Sequence, residues 1–308
     1  YGPIWENIYL PKAVKKYRNA DIYFSSNYTL PLTQIADRHV VTIFDISYIA
    51  HPEWFPKRQL ASLRSLTGPT VRNADMILTG SLATKLEILK YYDIDSEKIK
   101  VTNLGIDNEF LKYSESEGVL HSDRVKRDYE LKGKIVLFVG LLMNRRNVPQ
   151  LIEAVSMLKR RFGDDVTLVL LGKNHTFPYQ DINRIAAKFD MATNLKWIEY
   201  CSDDDVFGLY KAADVFMCTS LYEGFNITPL EALGLGVPVI CSNLSSLPEV
   251  VGDAAFMVED PTDPVELAKA IESVLSDEDL ASQLVEKGKN QASQFSWERC
   301  AEETMNFM

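Results

Sequence analysis

Long apolar runs are missing from this chain. The longest, residues 135–143, includes a glycine and is less than half of the roughly 20 residues a membrane-spanning helix needs. Cysteine is scarce: Cys201, Cys218, Cys241 and Cys300 are the only four, with no C-x-x-C and no Cys/His ligand spacing. That argues against a zinc site and against a redox pair. Cys218 and Cys241 each close an apolar run, so they read as reduced core residues, as suits a cytoplasmic protein. Cations are outnumbered, 33 Lys and Arg against 43 Asp and Glu, for a net charge of -10. Bulk nucleic-acid binding is therefore not expected, although a local basic pocket is compatible with that charge. There is no low-complexity tract and no fixed-period repeat. No G-x-G-x-x-G follows a strand with an acidic residue some 20 positions on, which disfavours an NAD-dependent oxidoreductase. The chain opens on Tyr1-Gly2-Pro3, without a basic-then-apolar leader.

What the chain does have is an ordinary globular composition, 46% apolar and 25% charged over 308 residues. Its length suggests two domains. Short apolar runs at 21–24, 39–44, 76–79 and 100–102, then at 135–139, 166–171, 195–198, 214–218, 237–241 and 255–258, alternate with amphipathic helical patterns. Two of those helices span 57–72 and 81–91, the second opened by Ser81 as N-cap. Strands that are apolar throughout belong to parallel sheets covered on both faces. The expected fold class is α/β: two Rossmann-like, doubly wound domains. A polar, charged stretch at 114–134 reads as the connection and hinge between them. The expected limits are 1–115, 116–294 and a final helical segment 295–308. The first half has about four strands against six in the second, so it reads as partial at its start.

The stretch Ser220-Leu-Tyr-Glu223-Gly-Phe-Asn-Ile-Thr-Pro-Leu-Glu231 follows a strand, at the carboxyl edge where α/β sheets bind ligands. Thr228, Pro229 and Glu231 read as N-cap, N1 and N3 of a helix, a capping box. Such a helix turns N–H groups and the positive end of its dipole toward an anion such as a diphosphate. Glu223 and Glu231 would then border one ligand at its two ends. The plainer account makes Glu231 a helix cap and Glu223 a solvated loop residue. Arg145 and Arg146, in Gly140-Leu-Leu-Met-Asn-Arg-Arg-Asn147, follow another strand and would supply cations to the same edge.

Residues 220–240 resemble the signature of retaining GT-B glycosyltransferases, the group of glycogen synthases and many mannosyltransferases (glycosyltransferase family 4, group 1). Glu223 and Glu231 fit its E-x7-E motif, Gly236-Val-Pro-Val-Ile240 its G-x-P-V-I, and Pro248-Glu249 with Gly252-Asp-Ala a later element. The segment 140–147 resembles the family's G-x4-R-K-N loop, with Arg146 where Lys is common. Val40-Val-Thr-Ile-Phe44-Asp45, His51-Pro-Glu, Arg72-Asn-Ala-Asp75, Asn103-Leu-Gly105-Ile-Asp107 and Phe295-Ser-Trp297-Glu-Arg fit further landmarks. Two departures stand out. The family's His is Phe44 here, and neither His39 nor His51 is placed to substitute. The leading βα unit with its Gly-rich loop is not in the sequence, so either a second chain completes the first domain or the chain is a fragment.

The resemblance implies a hexosyltransferase for polysaccharide biosynthesis, moving a sugar from a nucleotide-sugar donor to a hydroxyl acceptor, a sugar or lipid-linked glycan, with anomeric retention. It implies that Arg145, Arg146 and N–H groups around Phe225, Asn226, Ile227 and Thr228 bind the diphosphate and that Gly140 lets the backbone approach it. Glu231 would meet ribose hydroxyls and Glu223 the sugar ring. No cofactor and no catalytic metal are expected, since Asp203-Asp-Asp205 after Ser202 reads as a helix N-terminus. The run Lys12, Lys15, Lys16, Arg18 reads as a solvated helix face, with peripheral contact to the inner face of a membrane as its functional alternative. The competing reading of the whole, motivated by Phe44 and the partial first domain, is a catalytically impaired, nucleotide-sugar-binding or partner-dependent scaffold.

Overall fold

The computed structural model describes residues 5–14, 20–112 and 115–308. The chain forms two compact units, one of residues up to Leu104 together with Trp297–Met308, the other Gly105–Ser296.

The first unit carries a parallel sheet, β1 (Ile22–Ser25), β2 (Arg38–Thr42), β3 (Met76–Thr79) and β4 (Ile99–Val101), paired in that order. Between its strands run α1 (Lys57–Asn73) and α2 (Leu82–Tyr91). Ser81 caps α2 as expected, its hydroxyl accepting the Thr84 N–H at 3.1 Å. The basic run begins at Lys12, and Lys15, Lys16 and Arg18 lie outside the described residues.

Within the second unit, the stretch expected as a polar connection at 114–134 carries a helix, α3 (Glu115–Asp128). A polar helix of this kind buries only a narrow stripe, so no apolar periodicity announces it. Val125 is fully buried, Arg124 pairs with Asp205 at 2.6 Å, and Gly208 lets the helices close up, since a Cβ there would stand 2.8 Å from the His121 carbonyl.

Six parallel strands follow: β5 (Lys134–Val139), β6 (Val166–Leu171), β7 (Leu195–Ile198), β8 (Val215–Cys218), β9 (Val239–Ser242) and β10 (Phe256–Val258). They alternate with α4 (Val148–Phe162), α5 (Ile182–Lys188), α6 (Asp203–Ala212), α7 (Thr228–Gly234), α8 (Leu247–Val251), α9 (Pro264–Ser276) and α10 (Glu278–Ala292); α11 (Trp297–Phe307) belongs to the first unit. Successive strand side chains feed opposite faces. Leu137, Val169, Phe216 and Val239 enter one core; Val136, Phe138, Leu170, Met217 and Ile240 enter the other. Both faces are covered, which is why these strands read as apolar throughout.

The sheet order is β10-β9-β8-β5-β6-β7. The chain winds outward from β5 to β7, then returns to lay β8 against the other side of β5. The winding reverses between β5 and β8, and ligand crevices open at such points. The loops leaving those two strands carry Arg145, Arg146 and Glu223.

Candidate active site

The loop after β5 leaves through Gly140, at φ +135°, and makes a 3-10 turn over Asn144–Arg146. Its backbone is tied down on two sides. Toward β6, Gly140 N–H donates to the Leu171 carbonyl and Leu142 N–H to that of Lys173, at 2.8 and 2.9 Å. Toward β8, the Leu221 N–H donates to the Arg145 carbonyl at 2.7 Å and the Thr219 hydroxyl to that of Arg146 at 2.8 Å.

Those ties bring both arginines to Glu223, whose side chain is only 2% exposed. Arg146 Nη1 lies 2.8 Å from Glu223 Oε1 and Arg145 Nη2 3.8 Å from Oε2. Ser220 Oγ donates to Oε1 at 2.8 Å, and Asn226 Nδ2 reaches the same oxygen at 3.4 Å. A buried carboxylate persists only when paired and hydrogen-bonded, and Glu223 is both, so it is not a solvated loop residue. Two guanidiniums against one carboxylate leave the cluster net cationic. Arg146 Nε is buried without a hydrogen-bond partner among the described residues. A buried donor without a partner is rare and calls for an explanation, of which a bound anion is one.

The helix beyond, α7, differs from the expected capping box. Ile227 occupies the N-cap position with helical backbone angles, and no side chain caps there. Asn226 intervenes: its Oδ1 accepts both the N–H and the hydroxyl of Thr228, at 3.2 and 3.0 Å. The Thr228 N–H is therefore already engaged, and the Asn226 side chain, 3% exposed, points to Glu223 and Cys218. Phe225 and Ile227 are half-buried on the same loop, and their N–H groups have no partner among the described residues. The Phe225 ring packs on Phe295, 5.9 Å between centroids.

Glu231 accepts from the Tyr210 hydroxyl at 2.6 Å. Burial pushes the Glu231 carboxyl up from its usual range, with Asp107 adding to the rise and the Tyr210 hydrogen bond opposing it. Burial pushes the Tyr210 phenol up further, so it stays a donor.

Other singled-out residues have structural surroundings. His39 is buried at the amino end of β2, accepting the Ile35 N–H, while Phe44 lies past the carboxyl end against the Tyr28 ring. His51 stacks on Trp54. Ser202 caps α6, accepting the Asp205 N–H, and the Asp205 carboxylate holds Arg124 and the Tyr129 hydroxyl. Cys218 and Cys241 are buried free thiols on neighbouring strands. Sequence reasoning missed Ser220, Tyr210 and the serines at 242, 245 and 246, all of which hold the glutamates or their loop. A lone serine or tyrosine carries no signal until its partner's position is known.

A family model described as glycosyl transferases group 1 matches residues 121–291. The O-antigen chain mannosyltransferase B of Escherichia coli is 32% identical over 298 residues, 96% of this chain and 75% of that protein. The serotype-specific mannosyltransferase WbdA, also of Escherichia coli, is 30% identical over 74% of this chain, which spans only 28% of that longer protein. Among solved structures, WaaG, a glycosyltransferase involved in lipopolysaccharide biosynthesis, superposes with a TM-score of 0.78 at 18% identity, covering 97% of this chain and 80% of that one. HepE of Anabaena, solved with UDP and glucose, gives 0.77 at 21% identity, over 96% and 80%. Both share the GT-B architecture, two parallel-sheet α/β domains. With that fold, and with its family match over more than half of its length, the chain belongs to the group 1 glycosyl transferases.

Proposed function

We propose that the chain transfers a hexosyl group, mannose by its kinship with the mannosyltransferases, from a nucleoside-diphosphate sugar to a hydroxyl of a glycan or lipid-linked acceptor, with retention and without a metal. The carrying observation is the net cationic cluster of partly buried Arg145 and Arg146 around the buried Glu223, at the point where the sheet reverses. When the bond from the anomeric carbon to the diphosphate breaks, the electron pair moves to a phosphate oxygen, and fixed guanidiniums in a water-poor site stabilise that charge. The acceptor oxygen bonds the same face of the anomeric carbon and its proton passes to the departing phosphate, so no protein base is required. Glu223 then faces the sugar ring, Glu231 the ribose hydroxyls, and the N–H groups of Phe225 and Ile227 the diphosphate. The reading as an inactive scaffold is not favoured, since the O-antigen relative that this chain matches over most of its length is a mannosyltransferase. Among the described residues no helix is long and apolar enough to cross a membrane; contact with one is peripheral in this reading.

Thermal unfolding with UDP, GDP, ADP and CMP tests the donor site. One of them at about 100 times its Kd adds roughly 2.7 kcal/mol. The matching nucleotide-sugar then supports transfer in EDTA, with the product anomer read by NMR. No shift with any of the four and no transfer overturns the proposal.

A second expected result concerns Glu231→Gln, which keeps an acceptor for Tyr210 and removes the charge. A carboxyl whose folded pKa is raised contributes stability below its ordinary value, 4.5, and loses it as pH rises through the raised one. The variant therefore melts higher than the parent at pH 7, and the difference closes near pH 4. Its donor KM rises about tenfold, because a charge-assisted hydrogen bond to a hydroxyl becomes a neutral one. A stability gain with unchanged KM would remove Glu231 from the ribose.

A further inference from the structure

Glu223 sits in the irregular loop between β8 and α7, where no helix or strand hydrogen bond holds its peptide. That peptide is held instead from the next loop, after β9. Ser245 Oγ donates to the Glu223 carbonyl at 2.6 Å and accepts the Glu223 N–H at 3.2 Å. One hydroxyl thus meets both polar groups of one residue, its single proton going to the carbonyl and a lone pair to the N–H. The second lone pair of the carbonyl is filled by Ser246 Oγ at 2.9 Å. Just upstream, Ser242 Oγ donates to the Ser220 carbonyl at 2.5 Å, and Ser220 is the hydroxyl that donates to Glu223 Oε1.

Both clamping serines depart from what their local sequence favours. Ser245 has φ +58°, the left-handed region that side chains other than Gly and Asn avoid. Ser246 precedes α8 at its N-cap position, yet caps nothing, because its hydroxyl is spent on Glu223. Two neighbouring residues forgo a favourable local arrangement, and their hydroxyls converge on one carbonyl. Backbone strain of this kind persists where the surrounding structure over-determines it, and it gathers at functional sites.

We propose that Ser245, supported by Ser246, is a positioning residue. It fixes the Glu223 peptide so that the carboxylate stays in register with Arg145 and Arg146 while the charge on the diphosphate develops. The proposal rests on the reading of Glu223 as the carboxylate that faces the sugar.

The discriminating variant is Ser245→Gly. Glycine is at ease at φ +58° on this exposed loop, so relief of strain offsets the lost hydrogen bonds, and the melting temperature stays close to that of the parent. The expected kinetic result is a kcat about tenfold lower with the donor KM changed by no more than about threefold. In a Glu223→Gln background the same substitution lowers kcat no further, because it acts through the carboxylate already removed. Should Ser245→Gly fold poorly, Ser246→Ala reads the same coupling through the other hydroxyl. Parent-like kcat in a folded Ser245→Gly protein, or an equal loss in both backgrounds, overturns the proposal. If Glu223→Gln alone keeps the parent kcat, the catalytic reading of Glu223 falls first and the positioning role with it.

Discussion

Glu223→Gln lowers kcat for sugar transfer by about two to three orders of magnitude, the range seen when one electrostatic stabiliser is removed from an active site. The substitution is nearly isosteric and preserves an acceptor for Ser220, so the loop keeps its main anchor. What disappears is the carboxylate facing Arg145 and Arg146 at 3.8 and 2.8 Å. Two consequences separate this outcome from simple unfolding. Breaking a buried ion pair from one side leaves unpaired charge, which destabilises the ligand-free protein by about 3 kcal/mol. The cluster's charge rises from one positive unit to two, so a nucleoside diphosphate binds the variant at least as tightly as the parent and restores its melting temperature. Initial rates alongside calorimetric titration of the diphosphate check both halves. A variant with parent turnover would end the assignment of Glu223 to the sugar. A variant that lost diphosphate binding would show that the carboxylate orders the arginines instead of balancing them.

Much of this site is legible in the sequence. Strands such as Met76–Thr79, Val166–Leu171 and Leu195–Ile198 are readable to the residue, because a mostly apolar run, covered on both faces in Val166–Leu171, stands between polar segments. The spacing of Glu223 and Glu231 after a strand, with the arginine pair after another, placed all four at one sheet edge. Contacts that join distant side chains were not legible. The reading of Thr228 as N-cap fails because Asn226, two residues earlier, takes both the Thr228 hydroxyl and its N–H. Glu231 leaves its own helix end for Tyr210, 21 positions away in sequence. The helix Glu115–Asp128 looks like a linker because its stabilising partners, Asp205 and the close approach at Gly208, lie some 80 residues on. Periodicity reports burial of an apolar face; it is silent on polar partners fixed by the fold.

Gly172→Ala is expected to damage both stability and turnover, and the reason lies in one contact. Gly172 has φ +142°, and a Cβ there would stand 2.1 Å from the Gly140 carbonyl oxygen and 2.6 Å from its carbon. Neither side can yield cheaply. The Gly172 N–H is bound to the Ile198 carbonyl at 2.8 Å, and its own carbonyl accepts the Trp197 indole N–H at 2.9 Å. Gly140, for its part, is tied to Leu171 and begins the loop that carries both arginines. Relief of the clash therefore displaces the start of the arginine loop. Strain and lost hydrogen bonds together lower stability by about 3 kcal/mol or more, and a shift of roughly an ångström in a positioned cation lowers kcat/KM about a hundredfold. Gly163→Ala is the matched control. Its φ is +62°, but no atom lies within 4 Å of an added Cβ, and it ends α4 away from the site. That variant loses roughly 1–3 kcal/mol to backbone strain alone, because φ +62° with ψ -139° suits only glycine, a fall of several degrees in Tm for a unit of this size, and keeps its activity. Equal losses of turnover in the two alanine variants would mean that positive-φ backbone, rather than the contact between Gly172 and the Gly140 carbonyl, sets the penalty, and that the arginine loop is not held by its neighbour strand.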